Sequence, residues 1–149
     1  MKPLLSKFGF SMLEAIASVA IIALVFTTAI ATITAMRNQA MATENKRLAV
    51  EMASTIRDDL IRTQTYASLS AWLGNEEKSV DDVSCLSVSS PVSCDLFTQV
   101  AKASIPSDHI FITFHAPTPD STSFQIITFT ITITYYKVRT IQIEGVIYA

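Results

Sequence analysis

One isolated glutamate, two cysteines, two histidines and one acidic stretch supply the side chains of this sequence that could do chemistry. His109 and His115 are the acid–base candidates. On a strand they share a face with Thr113, yet six residues of extended chain separate them by roughly 20 Å at ~3.3 Å per residue. They cannot share a metal ion or act as a pair, and they read as surface residues. No nucleophile elbow, zinc-protease helix motif or paired-carboxylate motif occurs in the chain. The sequence therefore reads as no enzyme, with no cofactor and no small-molecule substrate. Glycine occurs only at Gly9, Gly74 and Gly145, too scattered for a phosphate-binding loop or a dinucleotide turn. Eleven Lys and Arg against thirteen Asp and Glu give −2, so no basic field awaits nucleic acid. Glu76, Glu77, Asp81 and Asp82 lack the spacing of a calcium loop and read as a solvated acidic loop. Cys85 and Cys94 have eight residues between them, wider than the usual spacing of zinc ligands, so no metal is expected. Outside the cytoplasm such a pair is most simply a disulfide, restricting the unfolded chain by on the order of 2–3 kcal/mol.

Glu14 is the acid whose place needs an explanation. It is the only charge from Phe8 to Met36. The run from Phe10 to Met36 is 27 residues, about 40 Å as a helix against a bilayer core of roughly 30 Å. Half of all residues are hydrophobic, 16% are charged and mean hydropathy is +0.39, as expected of a chain with one membrane segment. Lys2 and Lys7 precede the run and a long chain follows it, which sets the N-terminus in the cytoplasm. An ionised carboxylate in hydrocarbon costs on the order of a few kcal/mol. Glu14 therefore either snorkels at the membrane surface or meets a cation. A free α-amine would serve if the chain were cut just before Phe10. Glu14 would then lie in the first helical turn, where the helix dipole also favours negative charge.

Lys7, Gly9, Phe10, Ser11 and Glu14, in the stretch KFGFSMLEAIASVAIIALV, resemble the prepilin signal of type IV pilins and type II secretion pseudopilins. The resemblance is specific from Lys7 to about Val25. It implies cleavage between Gly9 and Phe10 by the prepilin peptidase and N-methylation of Phe10. It also implies that Glu14 pairs with the terminal amine of a neighbouring pilin or pseudopilin subunit during assembly. Phe8 stands where the family's basic residue usually directly precedes the glycine. A conventional secretory signal is the competing reading, with an apolar core from Ala15 to Phe26 and Ala29-Ile30-Ala31 before the cut. Its leading segment would be fourteen residues long and would end in an acid.

The elements that follow can be read from periodicity. No Gly or Pro occurs from Phe10 to Leu73, which suits one long helix. Its second half turns amphipathic, with Leu48, Met52, Ile56 and Leu60 on one side and Glu44, Arg47, Glu51, Asp58 and Arg62 on the other. Arg47 with Glu51 and Asp58 with Arg62 are spaced as supporting ion pairs. Glu76 to Pro91 reads as a loop. Asp95 to Ser104 reads as a short helix with Leu96, Val100 and Ala103 inward, stopped by Pro106. The period then becomes two. Ile110, Ile112 and Phe114 form one face, and Pro117 to Ser121 a turn. Phe129, Ile131, Ile133 and Tyr135 share a second face, and Thr140 to Ile147 forms a third strand.

These readings give an α+β chain, with a long N-terminal helix packed on a small antiparallel β-sheet. The resemblance implies the same fold. The expected organisation is a leader over 1–9, a transmembrane and assembly helix over 10–36 and a periplasmic globular domain over 37–149. The threonine-rich ITFTITITYY strand after a short helix looks like PilV-type minor pilins, and equally like the I-type minor pseudopilin. The implied function is a minor pilin in the inner membrane, assembled into a pilus, its partners being sister subunits and the prepilin peptidase. A type II secretion pseudopilin and a membrane-tethered periplasmic binding domain are the alternatives.

Overall fold

The computed structural model describes residues 11–87 and 90–149, so the leader, Gly9 and Phe10 lie outside the described residues. Two compact units divide the chain, one ending at Ala40 and one comprising Met41–Ala149. Helix α1, Met12–Thr63, runs through both. The second unit adds α2 (Tyr66–Leu73), β1 (Lys78–Val80), α3 (Cys94–Val100), β2 (Ile110–Phe114), α4 (Pro119–Ser123), β3 (Ile126–Tyr135) and β4 (Arg139–Tyr148). The strands form one antiparallel sheet in the order β1-β2-β3-β4. The long helix on an antiparallel sheet is the α+β arrangement expected.

In the second unit, α1 buries Met52, Ile56 and Leu60 as their spacing requires, with Leu48 half-covered at the margin. Ala42, Ala49 and Ala53 are buried beside them, small residues that the stripe of large apolar positions did not reveal. The sheet answers with Ile110, Ile112 and Phe114 from β2 and Ile127, Phe129, Ile131, Ile133 and Tyr135 from β3, all buried. Trp72 meets Phe114 edge to face at 5.8 Å, and Phe114 lies 5.7 Å from Phe129. Gly145 on β4 sits opposite Phe129. A Cβ there would come within 2.2 Å of the Phe129 ring. That ring occupies the space a side chain would take.

Several elements differ from their expected forms. The helix does not run unbroken to Leu73. It ends at Thr63, and Thr65 restarts it as an extended N-cap whose hydroxyl accepts from the Ser68 N–H, in a capping box. The Gln64 side chain donates to the Pro91 carbonyl at 3.0 Å, fixing the break. Re-aiming the chain lets α2 bury Leu69 and Leu73. The loop from Glu76 to Pro91 contains β1, which pairs Lys78 with Phe114 and Val80 with Ile112. The short helix stops at Val100 instead of Ser104. Lys102 and Ile105 exchange main-chain hydrogen bonds in a tight reversal, so Ile105 is buried and Ala103 is exposed. The expected turn at Pro117 to Ser121 begins α4, with Thr118 and Ser121 forming a second capping box. Asp58 pairs with its neighbour Arg57 at 3.0 Å instead of Arg62, while Arg47 does reach Glu51 at 3.4 Å and also Glu44 at 2.7 Å.

Candidate assembly site on the N-terminal helix

The first unit is built from residues that leave no polar side. From Met12 to Met36 every large apolar side chain is exposed, from 54% at Ile22 to 82% at Met12. An 18-residue window of α1 reaches a mean hydropathy of 2.4, and none of that window is buried by the rest of the molecule. The helix is long and apolar enough to cross a membrane. Its hydroxyls are arranged to need no water. Ser18 donates to the Glu14 carbonyl at 2.8 Å, Thr28 to Val25 at 2.9 Å, Thr32 to Thr28 at 2.8 Å and Thr34 to Ile30 at 2.8 Å. A polar group satisfied within its own helix can enter an apolar medium at little cost.

The Glu14 carboxylate is different. It lies in the first turn of α1, exposed, and no hydrogen-bond or ion-pair partner accompanies it among the described residues. Covering one large apolar side chain is worth about 1.5–3 kcal/mol, and a dozen of them line this stretch. One carboxylate at about 2.5–3.5 kcal/mol cannot reverse that balance. The apolar residues therefore outweigh Glu14 in any transfer of this stretch out of water, and Glu14 is the one charge there that would have to stay wet or find a cation.

The cysteines meet as expected. Cys85 and Cys94 form a disulfide with their Cα atoms 5.3 Å apart. The bridge fastens the helical turn Ser84–Leu86 to the first residue of α3. The acidic residues nearby are spent on structure. Asp81 accepts from the main-chain N–H of Ser84 at 2.6 Å and of Val83 at 3.1 Å. Those donors, Ser84 first, hold its carboxyl below the ordinary carboxylate value. Asp82 accepts from the Ser107 hydroxyl at 2.8 Å. Among the described residues no group of three His, Cys, Asp or Glu is placed to hold a metal ion.

The histidines do not share a strand face. His109 ends a helical turn over Ser107–His109 ahead of β2, closed by its own N–H on the Pro106 carbonyl at 3.2 Å before the extended run begins. His115 lies just past β2, with Nδ1 2.9 Å from Glu77 and Nε2 2.8 Å from the Thr130 hydroxyl. Hydroxyl, imidazole and carboxylate thus stand in the order of a hydrolase relay. Glu144, the cross-strand partner of Thr130, adds a second carboxylate on the same sheet face. The cluster ties the segment before β1 to β3. Sequence reasoning had no signal for it, since its members are 38 and 15 residues apart.

Compared with protein-family models, with characterised proteins and with solved structures, the chain matches none.

Proposed function

We propose that this chain is a minor pilin, a structural subunit that sits in the inner membrane and enters a type IV pilus through its N-terminal helix. Its N-terminus faces the cytoplasm and its C-terminal domain the periplasm, where a Cys85–Cys94 disulfide is at home. The observation that carries the reading is the apolar stretch from Met12 to Met36 of α1, its large apolar side chains all exposed, whose one charge, Glu14, stands in the first turn with no cation beside it among the described residues. An anchor needs neither the acid nor its placement. A bundle of such helices needs both, because excluding water from Glu14 requires a counter-charge from the next subunit. The Gly9-Phe10 junction would supply it, as the free amine released by the prepilin peptidase. The stretch KFGFSMLEAIASVAIIALV supports this reading by its resemblance to prepilin signals, and it fits the pseudopilus of type II secretion by the same argument.

Mass analysis of the mature N-terminus tests the processing step. The expected chain begins with N-methylated Phe10, and Gly9→Val leaves the precursor uncut. A chain beginning near Thr32 would replace this reading with a cleaved secretory signal.

A further inference from the structure

The sheet has two unlike edges. β1 is three residues long. β4 is ten, and its register with β3 runs unbroken from Ile126 opposite Tyr148 to Tyr135 opposite Arg139. Folded proteins ordinarily blunt an open edge with a bulge, a proline, charged side chains or a short strand. β4 has no bulge and no Pro, and between Arg139 at its start and Tyr148 its one charge is Glu144.

The ladder shows which main-chain groups stay open. The His115 N–H donates to the Thr128 carbonyl, so Thr128, Thr130, Thr132 and Thr134 point their main-chain groups toward β2. By alternation, Phe129, Ile131, Ile133 and Tyr135 point theirs toward β4. That uses Gly145, Ile143, Ile141 and Arg139. The N–H and C=O groups of Thr140, Gln142, Glu144, Val146 and Tyr148 are left aimed away from the sheet.

We propose that this edge receives an extended segment of a different polypeptide as a fifth strand, the partner being another subunit of the assembly proposed above. Only the partner's identity rests on that reading; the edge chemistry stands apart from it. The occupant's side chains follow from β4. Ile141 and Ile143 are only half-buried on the helix-covered face, so aliphatic residues belong beside them. Glu144 is exposed on the other face, so a basic residue belongs opposite it. A second copy of this chain fits less well. Its β1 edge offers three residues. Pairing β4 with β4 in the register centred on Glu144 would set two carboxylates opposite each other.

The test uses the full chain in detergent micelles and a synthetic ten-residue peptide of valine alternating with lysine and threonine, its ends blocked. Saturable binding is expected, with slowed hydrogen exchange at Thr140, Gln142 and Glu144. Gln142→Pro removes one outward N–H that takes no part in the β3–β4 ladder, a position where an edge strand tolerates proline. It should weaken binding by about tenfold or more with an unchanged unfolding midpoint. Glu144→Lys, which reverses the charge and leaves every main-chain donor in place, should weaken it as well and covers the case in which the proline variant misfolds. Absence of saturable binding, or variants that bind like the parent, would overturn the proposal. So would peptide-free dimers abolished by Glu144→Lys, which would assign the edge to a second copy. Glu14→Gln should bind the peptide normally, so failure here and failure of the assembly reading are separable.

Discussion

Gly145 and Val138 show how single residues ease or strain the sheet and how little they announce it. Gly145 lends its missing side chain to the Phe129 ring. Gly145→Ala forces that buried ring to shift, and overpacking of this kind costs about 1–3 kcal/mol. Urea unfolding of the full chain in detergent should show the loss, with membrane insertion unchanged. Lys137 and Val138, in the hairpin between β3 and β4, have φ of 52° and 67°. Such values suit Gly or Asn, whereas a β-branched side chain is strained there. Val138 is 86% exposed, so its side chain gains nothing from packing. Val138→Gly is expected to raise stability by about 1 kcal/mol, read as a higher unfolding midpoint. The same strain explains why the turn at Tyr136 to Val138 could not be read from sequence. The residues that usually mark a tight hairpin are absent from it.

Among the elements, legibility followed the length of the repeating pattern. β3 alternates over ten residues, and the stripe on α1 recurs every four, so both could be placed from spacing. β1 has three residues, Lys78, Ser79 and Val80, too few to show alternation. The break at Gln64 and Thr65 has no Gly or Pro. Its fixing contact reaches Pro91 across 27 residues, and only the folded chain brings the two together. His115, Glu77 and Thr130 were unreadable as a cluster for the same reason. The disulfide was legible because the chain has no third cysteine. It joins the turn after β1 to α3. Cys85→Ser should lower unfolding stability by on the order of 2–3 kcal/mol. Insertion should be unaffected if it depends on the proposed membrane segment over 10–36, and protease resistance beside membrane extraction would separate the two effects.

At the scale of the whole molecule, the two units answer to different surroundings. The unit from Met41 to Ala149 closes its own core, and Phe97, Phe114 and Phe129 are fully buried in it. In the unit up to Ala40 every large apolar side chain from Met12 to Met36 is exposed, and in the proposed reading lipid or other helices cover them. Glu14 distinguishes these two dependences. Lipid alone favours its loss, whereas a helical bundle that pairs it with a neighbour's amine requires it. The most direct measurement is co-purification of Glu14→Gln and Glu14→Leu with filaments or sister subunits, in cells lacking the parent gene. Both variants should be processed, inserted and folded like the parent, yet recovered with the assembly in greatly reduced amount. Recovery of both at the parent level, with full complementation, would contradict the assembly role and leave the helix an anchor for a tethered periplasmic domain.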